Sequence, residues 1–251
     1  MVRIVRATQA EIDEAVTALR DGELVAFPTE TVYGLGANAQ NPAAVQKVFE
    51  AKGRPTSHPV IVHIDSPKYL HRWVREVPET AQLLAERFWP GPLTLIMPKN
   101  PNVHDIVTGG QDTIAVRVPA HPMAQQLLTA FGGGIAAPSA NRYARLSPTR
   151  AEHVRDELGD AVRVVLDGGE SQVGLESTIV ACDVSGVRLL RPGAVTLAQL
   201  RQVVGEVELS APGAAPRVPG STPTHYAPST PMTIVPADEI DTRAEDASEG
   251  G

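Results

Sequence analysis

The chain has 251 residues, enough to bury a full core, with 42% hydrophobic and 20% charged residues and a mean hydropathy near zero. These values fit a soluble globular protein and argue against a disordered or fibrous one. Six acids and one base between 237 and 251 carry −5 of the net charge of −7. The first 236 residues are therefore nearly neutral, and lack the global basic excess of a dedicated nucleic-acid binder.

No apolar run approaches the ~18 residues of a transmembrane helix. The N-terminal Met1-Val2-Arg3-Ile4-Val5-Arg6 lacks the apolar core of a signal peptide. The single cysteine, Cys182, cannot form an internal disulfide, and no Cys/His cluster has zinc spacing. A reducing, cytoplasmic setting without a membrane is expected.

In chain order, Thr8-x-x-Glu11 is a capping-box pattern that opens a helix over 9–21, stopped by Gly22. A strand follows at 23–27. Residues 27–36, Phe-Pro-Thr-Glu-Thr-Val-Tyr-Gly-Leu-Gly, then crowd two threonines, a glutamate and a tyrosine into five positions. That is more hydroxyl than a turn needs, at a place where α/β proteins put binding loops. Asn41-Pro42 opens a second helix ending near Lys52.

Strands are expected at 59–64, 93–97, 113–118, 135–137, 162–166, 177–182 and 187–190. Helical patterns cover 66–76, 79–88, 122–131 and 196–204, and a second capping box at Thr149-x-x-Glu152 opens a helix to Leu158. Without strict βαβ alternation, the order predicts an α/β domain with a twisted mixed sheet and surrounding helices. The Pro- and Gly-rich stretch from Ala211 to Pro231 reads as a linker, and residues from Ala237 on as a disordered acidic tail. The expected division is 1–208, 209–236 and 237–251.

No P-loop, nucleophile elbow or H-E-x-x-H occurs. Gly132-x-Gly134-x-x-Ala137 matches a dinucleotide fingerprint in form, but it follows a helix and precedes a strand, the reverse of what that mechanism needs. Polar residues instead gather where strands and helices end: Lys52-Gly53-Arg54 with His58, Ser139 with Asn141, Ser147, Glu176-Ser177, and Arg191. His63 shares a strand face with Ile61, which also suits a core histidine. Arg117 lies inside an apolar strand, where an arginine is seldom buried without an anionic partner. Hydroxyls and separate basic residues without a covalent nucleophile suit an anionic ligand, and chemistry by positioning and charge stabilisation.

Seven motifs in order make the pattern specific. Phe27–Gly36, Lys52-Gly-Arg54-Pro, Phe88-Trp-Pro-Gly-Pro-Leu-Thr94, Thr113-Ile-Ala-Val-Arg117-Val-Pro, Ala137-Pro-Ser-Ala-Asn141, Glu176-Ser-Thr178 and Leu190-Arg-Pro-Gly193 resemble the YrdC-type threonylcarbamoyl-AMP synthases over residues 5–205.

The resemblance implies a YrdC-like fold around a large basic cavity. It also implies synthesis of threonylcarbamoyl-AMP and pyrophosphate from L-threonine, bicarbonate and ATP, with Mg2+ accompanying the ATP. A separate transferase complex passes the group to tRNA. By motif, Thr31, His63, Arg117, Ala137 and Ser177 would contact threonine. Lys52 and Arg54, the expected catalytic pair, would face ATP with His58, Thr113, Ser139, Asn141, Ser147 and Arg191. Long members add a linker carrying His-Tyr-Ala-Pro, present here as His225–Pro228, and then a second domain, for which the 23 residues that follow are too few. The resemblance places Tyr226 close to ATP. Alternatives are a non-catalytic RNA-binding or ribosome-associated module, and a carbamoyl-adenylating domain.

Overall fold

The computed structural model describes residues 3–6, 8–209 and 216–218, and the single residues 227, 230, 232, 235, 236 and 240. Tyr226 and most of the expected acidic tail lie outside the described residues.

An 11-stranded sheet forms the frame. Its strands are β1 (Arg3–Arg6), β2 (Val25–Phe27), β3 (Gly34–Asn38), β4 (Ile61–His63), β5 (Leu93–Pro98), β6 (Thr113–Arg117), β7 (Ile135–Ala136), β8 (Val164–Asp167), β9 (Thr178–Asp183), β10 (Gly186–Arg191) and β11 (Glu208–Leu209). They lie in the order β1-β8-β2-β3-β7-β4-β6-β5-β9-β10-β11. Parallel pairs such as β4–β6 and β5–β9 mix with antiparallel ones such as β2–β3 and β5–β6. The expected twisted mixed α/β architecture is therefore present.

The helices are α1 (Gln9–Arg20), α2 (Pro42–Lys52), α3 (Glu79–Phe88), α4 (Asp105–Thr108), α5 (Pro122–Phe131), α6 (Ala151–Leu158) and α7 (Leu197–Val204). The capping box at α1 forms: the Thr8 amide donates to Glu11 Oε2 at 3.0 Å. Asn41 caps α2 by accepting from the amides of Ala43 and Ala44, and left-handed Gly53 ends it.

Three expectations are corrected. The 66–76 pattern is a 3-10 helix over Pro67–Arg72, opened by Pro67 and too short to continue as α. At α6 the N-cap is Arg150, one residue later than the expected capping box. Residues 34–36, read as the end of the loop, belong to the strand β3, antiparallel to both β2 and β7.

Side-chain alternation divides the sheet into two faces. Val62, Leu95, Val116 and Val180 point into the largest core cluster, which includes Phe49 and Leu84 from the helices. The opposite face of the same strands carries Ile61, Ile96, Ala115 and Ala181, joined by buried Val218. Arg217 ties that segment down: its amide donates to Gln111 Oε1 at 2.7 Å, and its guanidinium donates to the Gly109 carbonyl at 3.0 Å. His63 and Arg117 extend this second face, as register partners on β4 and β6. The period of two thus explains an arginine inside an apolar strand: Val116 enters the core and Arg117 points away from it.

Candidate functional site

One pocket is lined by Thr29, Thr31, Arg54, Ile61, His63, Arg117, Ala137, Ser139, Glu176 and Arg191, with Val32, Tyr33, Gly34 and Pro138. A second opening shares Val32, Glu176 and Arg191 with it and continues to Leu146, Ser147, Leu175 and Pro192. The first is rich in charge; the second adds exposed leucines.

The hydroxyl-rich loop forms one wall. Thr29 Oγ1 accepts from the amides of Thr31 and Val32, each at 3.2 Å, and donates to the Val32 carbonyl at 2.6 Å. This closes a local turn of the type threonine favours. Tyr33 braces the loop from behind. Its hydroxyl donates to the Gly169 carbonyl at 2.7 Å and accepts from the Gly168 amide at 3.1 Å. Burial raises its pKa to about 12, so it remains a donor.

Arg117 is buried at the base. Its Nε donates to the Gly91 carbonyl at 3.1 Å, Nη1 to Thr31 Oγ1 at 2.9 Å, and Nη2 to Glu30 Oε1 at 2.6 Å. Beside it, His63 is neutral, with its pKa pushed down to about 3 by burial and by the Arg117 charge. Its Nδ1 has no hydrogen-bond partner among the described groups, an open position on a pocket-lining side chain.

The basic wall comes from the end of α2. Gly53 reverses the chain, so Lys52 and Arg54 are both buried. Lys52 Nζ donates to the carbonyls of Ser139 and Asn141. Burial, and then the Arg54 charge, lower its pKa to about 7. Arg54 Nη2 donates to the Pro59 carbonyl at 2.8 Å. Opposite, Ser147 Oγ donates to Glu176 Oε1 at 2.7 Å, and Arg191 Nη2 lies 3.7 Å from Glu176 Oε2. Glu176 remains ionised: although burial opposes it, Arg191, the Ser147 hydrogen bond and more distant Arg117 and Lys52 hold its pKa below the usual value.

Of the residues expected at the site, Thr31, Arg54, His63, Arg117, Ala137, Ser139 and Arg191 line the first pocket, and Ser147 the second. Ser177 is fully buried, with its hydroxyl 2.8 Å from Thr94 Oγ1 and accepting from Arg191 Nη2 at 3.1 Å. It supports the guanidinium rather than lining the cavity. Asn141 donates to the carbonyls of Arg142 and Arg145 and so shapes its own loop. His58 packs edge-on against Tyr143, and Thr113 starts β6; neither is among the lining residues. Two carboxylates were named in the sequence reading but given no role at the site. Glu30 sits between the threonines of the first motif, and Glu176 opens the sixth. A clue was available for each: a single acid beside hydroxyl residues in a motif that carries no base to pair with it.

A mixed sheet bearing a buried arginine fork beside a second basic wall defines a class of protein whose cavity is chemically suited to anionic ligands. The family model described as "Telomere recombination", which spans Sua5, YciO and YrdC proteins, matches residues 17–193. A second, described as "Threonylcarbamoyl-AMP synthase, C-terminal domain", matches 195–250 and so reaches through the stretch read as linker and tail.

The chain belongs to the threonylcarbamoyl-AMP synthase family. It is 44% identical over 249 residues to the threonylcarbamoyl-AMP synthase of Pyrococcus abyssi, covering 96% of this chain and 73% of that protein. It is 47% identical over 229 residues to that of Bacillus subtilis, covering 89% and 66%. The chain thus spans about two thirds to three quarters of the length of these relatives. The crystal structure of P. abyssi Sua5 complexed with L-threonine superposes with a TM-score of 0.92 at 42% identity, over all of this chain and 78% of that one. Escherichia coli YciO shares the fold at 22% identity and a TM-score of 0.70.

Proposed function

We propose that this chain makes threonylcarbamoyl-AMP and pyrophosphate from L-threonine, bicarbonate and ATP. The observation that carries the reading is the placement of Arg117, Thr31 and His63 in one cavity with Arg54 and Arg191. The first three suit an amino acid, with a guanidinium for its carboxylate and uncharged groups around it. The second set, with Lys52 behind it, suits nucleotide phosphates.

The threonine amine forms a bond to the carbon of bicarbonate, a carbon–oxygen bond breaks, and water leaves to give the N-carboxylated amino acid. Its carbamate oxygen attacks the α-phosphorus of ATP, the bond from that phosphorus to the bridging oxygen breaks, and pyrophosphate leaves. No protein nucleophile is required. Arg54 and Arg191 orient the triphosphate and offset its growing charge, Lys52 supports them from behind by holding the Ser139 and Asn141 carbonyls, and Arg117 fixes the threonine end.

The donor set fits a magnesium ion carried in on the nucleotide. Among the described residues no group of three or more His, Cys, Asp or Glu could cage a metal. Magnesium commonly binds through one or two carboxylates plus phosphates, and Glu176, the carboxylate among the lining residues, would be the side chain to contribute. When bound, the ion neutralises phosphate charge. The product would pass, in the cytoplasm, to a separate complex that transfers the threonylcarbamoyl group to tRNA.

The test is pyrophosphate release from ATP with threonine, serine or carbamoyl phosphate as co-substrate. The expected result is release that requires both threonine and bicarbonate. Release driven by carbamoyl phosphate alone would move the chain to a different carbamoyl-transfer chemistry.

A further inference from the structure

We infer that Glu30 is a positioning residue for the threonine step, holding the Arg117 guanidinium in the pose that meets the substrate carboxylate. The inference rests on reading this cavity as a threonine pocket.

Glu30 and Arg117 are both buried, at 7% and 3% exposure. Glu30 uses both oxygens: Oε1 accepts from Arg117 Nη2 at 2.6 Å, and Oε2 accepts from the Ala120 amide at 3.0 Å. Ala120 lies just beyond β6, the strand that carries Arg117. The glutamate therefore spans from the hydroxyl-rich loop to the arginine's own chain segment. Its neighbour Thr31 holds the other terminal nitrogen, and Gly91 holds Nε.

A guanidinium has five N–H donors. Three are engaged by Gly91, Thr31 and Glu30, which leaves one on each terminal nitrogen. Two such donors from one fork suit a single carboxylate. Arg117 lines the cavity and Glu30 does not, so Glu30 acts through Arg117 rather than by touching the ligand. Stability alone is a weak reason for the pair, since buried ion pairs are often matched or bettered by apolar packing.

Only a carboxylate satisfies both donors. Glutamine has a single acceptor oxygen, so Glu30→Gln loses either the Arg117 or the Ala120 contact. Aspartate keeps the charge and both oxygens but is one methylene shorter. Calorimetry of L-threonine and of a non-hydrolysable ATP analogue, with the full chain, separates the possibilities. The expected result for Glu30→Gln is threonine affinity at least tenfold weaker, nucleotide affinity within twofold of wild type, and partial recovery with Glu30→Asp.

In an Arg117→Ala background, Glu30→Gln should cost threonine nothing further, because the effect passes through Arg117. Unchanged threonine affinity in Glu30→Gln overturns the role. So does equal weakening of both ligands, or an additive loss in the double variant. If Glu30→Gln does not fold, wild-type threonine affinity in Glu30→Asp also overturns it. Absence of threonine binding by the wild-type chain overturns the threonine reading itself and the role with it.

Discussion

At the scale of single residues, charge placement carries the site. Arg117 stood out in the sequence because an arginine inside an apolar strand needs an anion, and the structure supplies one in Glu30. The partner was hidden because it lies 87 positions away, in a loop that only the folded sheet brings beside β6. Ser177 illustrates the opposite limit. Its motif was legible, but only three dimensions reveal that its hydroxyl meets Thr94 and Arg191.

His63 yields a measurable consequence. Its pKa is about 3 in the folded chain against 6.5 for the ordinary group. Below pH 6.5 the unfolded chain takes up a proton that folded His63 refuses. Its contribution to stability is therefore complete above pH 6.5 and declines as pH falls toward 3, by about 1.4 kcal/mol per pH unit. Denaturant unfolding of wild type and His63→Gln at several pH values should show wild type losing ground to the variant only below pH 6.5. A pH-independent difference would place the charge change elsewhere.

At the scale of elements, the long amphipathic helices were legible: α1, α2, α3, α5 and α7 lie within a residue or two of their expected positions. β3 was not, because Gly34-Leu-Gly-Ala-Asn38 lacks the branched and aromatic residues that mark strands. The glycines are there for packing. A Cβ on Gly36 would stand 2.8 Å from Ile135 Cγ2 and 2.9 Å from the Phe27 ring, so β3 can enter between β2 and β7 only without a side chain at that point. Gly36→Ala should lower stability by about 1–3 kcal/mol through overpacking, read as a lower thermal midpoint; an unchanged midpoint would mean that Phe27 and Ile135 yield freely. Gly134 has a similar origin, since a Cβ there would lie 2.2 Å from the Trp73 ring. That explains a fingerprint-like glycine pattern with no dinucleotide role.

At the scale of the whole molecule, the sheet is a platform with one face given to the core and the other, in its centre, given to the site. β4 and β6 carry His63 and Arg117 side by side, and the loops after β2, β7 and α2 bring the hydroxyl and basic walls to them. Residues 216–218 return to this face, where Val218 covers Ile61, Ile96 and Ala115, and the Ala227 amide donates to the Ala144 carbonyl at 3.0 Å. The chain beyond the sheet was read as a linker from proline and glycine content. Composition could not reveal that part of it docks, because a single valine seated on a sheet leaves no periodic mark.

In the proposed reaction one cavity joins threonine, bicarbonate and ATP. Incubation of the full chain with ATP, L-threonine and carbon-13 bicarbonate, followed by mass spectrometry of the adenylate fraction, tests it most directly. The expected product is an AMP adduct that contains threonine and the labelled carbon, formed in step with pyrophosphate release. AMP or ADP formed without a labelled threonine adduct would contradict it.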